Sequence, residues 1–180
     1  TLALVAERTS RIRIGTGVAI SGTRPAPVNA AGIATINALA PGRTFFGVGA
    51  GNTARRIMGL APQRIAEFEQ YLQTLVPLLK GEEAAYRHGD QSIPIRHVMP
   101  DKGFVNFDDP IPLYISGFGP KSLALAGRYG DGAVLGVAHP SAMASTWQML
   151  QNGAREAGRE VAPEFLQDAA TPEGMGEALL

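Results

Sequence analysis

Short runs of nearly continuous apolar residues alternate along the chain with longer stretches in which apolar positions recur every three or four residues. The first pattern marks strands buried on both faces, the second amphipathic helices. The opening segment, TLALVAERTS, reads as the last turns of such a helix. Arg11 to Val18 (RIRIGTGV) is a β-branched run ending in glycines. Arg24-Pro25 opens a helix through Leu39, with Val28, Ala31, Ile36 and Leu39 as its apolar face. Pro41-Gly42 ends it, since proline cannot continue the backbone ladder and glycine suits the turn. A second strand, Thr44 to Val48, leads into GAGN, and the next helix, Gln63 to Leu79, sets Ile65, Phe68, Leu72, Leu75 and Leu79 on one side.

Residues 81–109 break this rhythm. They are polar, contain Pro94 and Pro100, and show no sustained period, so they read as a long loop excursion of the kind that is usually functional or mobile. Regularity returns with a strand from Ile111 to Ile115, the loop SGFGP, a helix to Tyr129, a Gly130-Asp131-Gly132 turn and a strand from Ala133 to Val137. A last helix, Pro140 to Ala157, presents Met143, Trp147, Leu150 and Ala154, and residues 158–180 form a weakly patterned tail.

Alternating strands and helices predict an α/β fold with a parallel sheet, in one domain spanning residues 1–180. Four βα units leave two open strand edges, which proteins avoid, and a closed eight-stranded barrel typically takes about 250 residues. A partial barrel is therefore expected, completed by further sequence, by another chain, or not at all. The chain starts at Thr1 without an initiator Met, which reads as truncation, with any targeting segment lost upstream.

Composition narrows the function classes. The chain is 45% hydrophobic and 18% charged, with a mean hydropathy of +0.02, enough apolar mass for one core. Sixteen basic residues balance sixteen acidic ones, so no net field favours nucleic acid or an anionic membrane. Cysteine is absent, which excludes a disulfide framework, a thiolate zinc site and a cysteine nucleophile, and agrees with a cytoplasmic location. No apolar run approaches the roughly 20 residues of a membrane helix.

In parallel α/β folds, ligands bind at the carboxyl ends of the strands. Three loops there are rich in glycine: Thr16 to Gly22, Gly47 to Asn52, and Ser116 to Lys121. Glycine between a strand and a helix lets backbone N–H groups approach an anion, so the second and third loops together can cradle a phosphate. The competing explanation is that these glycines only make tight turns. Thr16-Gly17-Val18 differs because its glycine lies inside the strand terminus, where it marks either a bulge or a plain strand end.

RIRIGTGVAI, IATINALAPGRTFFGVGAGNTARRIMGL and PIPLYISGFGPKSLALAGRYGDGAVLG, in that order, resemble the luciferase-like superfamily, most closely its methylenetetrahydromethanopterin reductase-like branch. The resemblance spans Thr1 to Trp147. It implies a (β/α)8 TIM barrel of which this chain covers strands three to six. It implies FMN or the 8-hydroxy-5-deazaflavin coenzyme at the strand carboxyl ends, and a non-prolyl cis peptide at Gly17-Val18 behind the ring. By the same resemblance Ala50, Gly51 and Asn52 belong to the phosphate-side loop after strand four, and Ser116, Gly117, Phe118, Gly119, Pro120 and Lys121 to the loop after strand five. Two departures stand out: Phe118 occupies a position where relatives carry a small residue, and Asn52 stands where deazaflavin-dependent sugar-phosphate dehydrogenases carry an acid. The histidine that relatives use near the barrel start would precede Thr1.

The activity implied is hydride transfer from reduced deazaflavin or FMN to a small organic substrate, or flavin-dependent monooxygenation. The alternative is a non-catalytic flavin-binding or remnant partial barrel. A homodimer is an open option, and no individual catalytic residue is assigned. Other polar residues carry weaker signals. His88, His97 and His139 are isolated and read as loop or surface residues. Arg55-Arg56 either face a substrate anion or decorate a helix start. Asp108-Asp109 and Asp131 read as turn residues, and Ser116 and Ser122 lack the partners of a serine hydrolase.

Overall fold

The computed structural model describes residues 1–135 and 140–161. The expected strand end at Val137, His139 and most of the tail (162–180) lie outside these residues. Helix α1 (Leu2–Arg8) leads into β1 (Ile14–Ile20), α2 (Ala26–Leu39), β2 (Thr44–Gly49), α3 (Asn52–Ile57) and α4 (Ile65–Leu79). Then come β3 (Ala84–His88), β4 (Gln91–Ile95), a 3-10 turn (Pro100–Lys102), β5 (Leu113–Ser116), α5 (Pro120–Tyr129), β6 (Gly132–Val134) and α6 (Pro140–Glu156). Strands β1, β2, β5 and β6 form one sheet in that order, parallel throughout.

Alternation along each strand sends its two sets of side chains to opposite faces. Phe46, Val48, Leu113, Ile115 and Ala133 point into the helix layer and pack with Phe68, Leu72, Leu75 and Leu78 of α4, Leu123 and Ala126 of α5, and Leu150 of α6. The other face carries Phe45 and Tyr114, whose ring centroids are 5.3 Å apart, with the Arg13 guanidinium 5.6 and 5.5 Å from the two rings. These rings lie over glycine: a Cβ at Gly132 would come 2.6 Å from Tyr114 Cδ1 and one at Gly15 would meet the Phe45 ring.

Helix α4 buries the expected face. Its Tyr71 hydroxyl accepts a hydrogen bond from Asn29 Nδ2 at 2.7 Å, and burial pushes that hydroxyl up to about 12. Helix α2 does not bury the face expected of it. Val28 and Leu39 are each 53% exposed, and the inward face is instead Ala26, Asn29, Ala30, Ile33, Ala34 and Asn37. Small side chains let α2 approach its neighbours closely, and the buried amides are satisfied. Asn37 donates to the Asn106 and Asp109 carbonyls (3.0 and 2.9 Å) and accepts from Thr44 Oγ1 (2.6 Å).

Residues 81–109, expected to be a loop excursion, contain the antiparallel hairpin β3–β4. Most of its residues are exposed, so the sequence shows no alternation for a period to reveal. Helices α5 and α6 make a close crossing through glycine: a side chain at Gly127 would overlap the Leu150 carbonyl, and one at Gly153 the Ala124 carbonyl.

Candidate functional site

The register of the sheet places the loops. Ile20 pairs with Gly49, and Gly49 with Ser116, so the carboxyl ends of β1, β2 and β5 lie side by side. The loops carrying Ala50-Gly51-Asn52 and Ser116 to Lys121 therefore emerge at one end of the sheet, beside the connection that follows β1, with adjacent strands about 4.8 Å apart; Gly17-Val18 lies inside β1, between the Thr16–Phe46 and Ala19–Val48 pairings. Gly51 and Gly119 both lie there, beyond neighbouring strand ends.

At β1 the register shifts between Thr16 and Ala19, so that the ladder is broken at Gly17-Val18, and this peptide bond is cis. Thr16 fills the gap in the ladder. Its hydroxyl donates to the Gly47 carbonyl at 2.6 Å and accepts from the Gly47 N–H at 3.1 Å. The Val18 side chain lies along β2, since a Cβ at Gly47 or Gly49 would stand 3.3 Å from its methyl groups. Gly17 is exposed, with nothing within 4 Å of the position a Cβ would take. Backbone at that point is open to close approach.

After β2, the half-buried Ala50 packs on the core. Gly51 has φ 67°, a left-handed conformation, and a side chain there would run into Ile20; glycine is required on both counts. Asn52 begins α3 and is exposed. Arg55 ties the loops together, donating through Nε to the Ala61 carbonyl (2.7 Å) and through Nη1 to the Gly22 carbonyl (3.4 Å). Ser21 Oγ lies 2.5 Å from Gln63 Oε1 and 3.1 Å from the Gly49 carbonyl, its single proton shared between these two acceptors.

After β5, Ser116 is half-buried, and the buried Gly117 sits too close to Ser122 for any side chain. Ser122 Oγ accepts from the Gly119 N–H (3.2 Å) and donates to the Gly119 carbonyl (2.9 Å), fixing the start of α5. Phe118 is 76% exposed, and Gly119, Pro120 and Lys121 are exposed beside it. Gly119, like Gly17, has nothing within 4 Å of its would-be Cβ.

The register thus sets the loops after β2 and β5 at one end of the sheet, with Gly17 and Val18 inside β1 below its carboxyl end. Thr16, Ser21 and Gln63 were not among the residues marked for cofactor binding: their role depends on partners 28 to 42 residues away, which spacing does not show. Ser122, weighed only as a nucleophile, could have been found from its place three residues after the helix-capping glycine.

The remaining candidates are structural. His97 Nε2 lies 2.9 Å from the Leu78 carbonyl and its ring packs on Phe107. His88 ends β3 at the surface. The Asp109 carboxylate accepts from Asn106 Nδ2 (2.9 Å), and Asp108 N–H donates to Asn106 Oδ1 (2.9 Å), which makes a side-chain-stabilised turn. Asp131 accepts from the Leu113 N–H at 2.9 Å at the far end of the sheet. Two surface grooves flank the sheet: one among α2, α4 and β3 reaches the connection after β1 through Pro25 and Gln63, and the other lies at the opposite end beside Ile111, Asp131 and Arg159.

Comparison with known proteins follows the same lines. The chain is 31% identical over 162 residues to the 5,10-methylenetetrahydromethanopterin reductase of Methanolobus tindarius, covering 89% of this chain and 48% of that protein. The solved structure of an F420-dependent secondary alcohol dehydrogenase in complex with an F420-acetone adduct superposes with a TM-score of 0.72 at 25% identity, over 91% of this chain and 50% of that one. A type II Baeyer-Villiger monooxygenase from the CAM plasmid of Pseudomonas putida, solved with FMN, shares the fold (TM-score 0.69, 19% identity, 89% and 48% covered). The chain spans about half the length of the relatives it matches. With the model of the family described as luciferase-like monooxygenase matching residues 1–170, the chain belongs to that family.

Proposed function

We propose that this chain carries the cofactor-phosphate side of an oxidoreductase that uses FMN or the 8-hydroxy-5-deazaflavin coenzyme on a small organic substrate. The observation that carries the reading is the convergence of three glycine loops on one sheet edge, fixed by the Ile20–Gly49–Ser116 register. The residues suit such a group: Gly17 and Gly119 leave backbone exposed with open space beside it, and Lys121 adds a cation. Gly51, Asn52, Gly119 and Lys121 would hold the phosphate, while Gly17 and Val18 would lie against the ring. When bound, the cofactor supplies a two-electron hydride donor, or in the case of FMN a reductant for oxygen. The protein's part is to orient that group and exclude water, which fits a site made of backbone and lacking a charged catalytic set.

Other parts of the proposal are a single domain over residues 1–180 that includes the 81–109 segment, a cytoplasmic location, a homodimer, and no nucleic-acid partner. The balanced charge supports the last of these.

Fluorescence titration with FMN and with the deazaflavin tests the reading, using riboflavin, which lacks the phosphate, as the comparison. The phosphorylated cofactors should bind at least about tenfold tighter, since hydrogen bonds to a charged group contribute about 1.5–3 kcal/mol. Gly119→Leu, which the open space accommodates, should weaken binding by a similar factor without moving the unfolding midpoint. Equal binding of FMN and riboflavin, or an unaffected Gly119→Leu variant, would overturn the assignment.

A further inference from the structure

Hydrogen-bond donors without partners gather in the groove between the start of α2, helix α4 and strand β3, a cavity of about 200 Å³. Tyr71 lines it and is only 9% exposed. Its hydroxyl accepts from Asn29 Nδ2 at 2.7 Å, and its own proton has no acceptor among the described residues. Burial keeps that proton in place far above neutral pH. A buried tyrosine hydroxyl normally finds a partner, so the missing acceptor belongs to whatever fills the groove. Gln63 Oε1 is engaged by Ser21 Oγ, which leaves the Gln63 amide N–H groups to donate. Gln70, Tyr86 and Arg87 also line the groove, and no side-chain hydrogen bond or ion pair engages them among the described residues.

The charges in the groove do not cancel. Its one carboxylate, Glu67, is taken up by Arg64: Oε1 lies 2.6 Å from the guanidinium and Oε2 3.2 Å from the Arg64 N–H. Arg87 is left as the cation without a counterion among the described residues. The remaining walls are apolar, from Pro25, Ala26 and the two tyrosine rings. A cavity of about 150 Å³ admits benzene, so this one suits a molecule of about six to ten non-hydrogen atoms.

We propose that this groove binds a small organic acid, whose carboxylate accepts the Tyr71 hydroxyl proton in a hydrogen bond and pairs with Arg87, and whose carbon body lies along the tyrosine rings. Donors outnumber free acceptors there, which favours a carboxylate over an alcohol or an amine. The site lies in the helix layer, outside the glycine loops, and stands independently of the cofactor reading.

The test is a titration with sodium benzoate followed by saturation-transfer-difference NMR, with benzyl alcohol as the uncharged match. It is repeated on Arg87→Gln and Tyr71→Phe, and on Lys121→Gln, which removes a cation at the glycine loops. Benzoate should bind with roughly millimolar affinity, and benzyl alcohol at least about tenfold more weakly. Arg87→Gln and Tyr71→Phe should each weaken benzoate about tenfold, since each removes a hydrogen bond to a charged group, while Lys121→Gln should change it by less than about twofold. Circular dichroism checks each fold; if Tyr71→Phe does not fold, Arg87→Gln, at an exposed position, decides alone. No benzoate binding, equal binding of benzyl alcohol, or an Arg87→Gln variant that binds as the parent does would overturn the proposal. So would loss of binding in Lys121→Gln alone, which would place the anion at the glycine loops.

Discussion

Removing one hydroxyl beside the break in the β1–β2 ladder should cost a measurable share of the stability. Thr16 Oγ serves both backbone groups of Gly47, donating to its carbonyl and accepting from its N–H. Gly47 is buried and lies between the Thr16–Phe46 and Ala19–Val48 pairings, so Thr16→Val, which keeps the shape and removes the oxygen, deletes two side-chain hydrogen bonds that supplement the ladder there. Each such bond contributes about 0.5–1.5 kcal/mol net, for an expected total of about 1–3 kcal/mol. Thr16→Ser keeps the hydroxyl and loses a methyl, for about 1 kcal/mol or less. With a urea m-value of about 2 kcal/mol/M, the valine variant should unfold at a midpoint about 0.5–1.5 M lower, and the serine variant should shift by less than half as much. Equilibrium unfolding followed by circular dichroism reads both. A valine variant that unfolds with the parent, or a serine variant that falls as far as valine, would refute the role given to this hydroxyl.

Two further outcomes are expected. Gly153→Ala should destabilise by about 1–3 kcal/mol, because its methyl meets the Ala124 carbonyl across the α5–α6 crossing. Gly32→Ala in α2, where nothing lies within 4 Å, should stabilise by about 0.5–1 kcal/mol through helix propensity alone; thermal melts showing the same sign for both would contradict the crossing. Tyr71 is held at about 12 by burial, against about 10 in the unfolded chain. The native state therefore keeps its proton where the unfolded state has lost it, and the contribution, about 2–3 kcal/mol, is whole below pH 10 and lost as pH rises through 12. The stability gap between the parent and Tyr71→Phe should change across that window in urea titrations, and a constant gap would count against this burial.

The residues that made the sheet legible were apolar ones at fixed spacing. Phe68, Leu72 and Leu75 announce α4 because their faces are large and regular. Helix α2 misled because its inward face is alanine and asparagine, so that periodicity selected Val28 and Leu39, which face solvent. Hydrophobic spacing reports burial only where burial is hydrophobic, and Asn37 is buried through hydrogen bonds whose partners are distant in sequence. The β3–β4 hairpin was illegible for the opposite reason, since only its Ala84 end is buried and the remaining, mostly exposed residues need no alternation. At the candidate site, glycine clusters pointed to loops that the register sets at one end of the sheet, and the family resemblance pointed to the cis peptide at Gly17-Val18. The side chains that brace those loops, Thr16 and Ser21, act on backbone groups far along the chain and leave no local signature.

The sheet has a direction as well as a shape. All four of its described strands run the same way, and β1 and β6 each keep one side unpaired among the described residues. Any strand that joins in parallel must arrive with its own trailing connection above the same rim as Gly51 and Gly119. One that joins antiparallel delivers that connection to the floor. Growth of the sheet in parallel is therefore also growth of the walls around the candidate site, so extension and enclosure come from a single act of pairing.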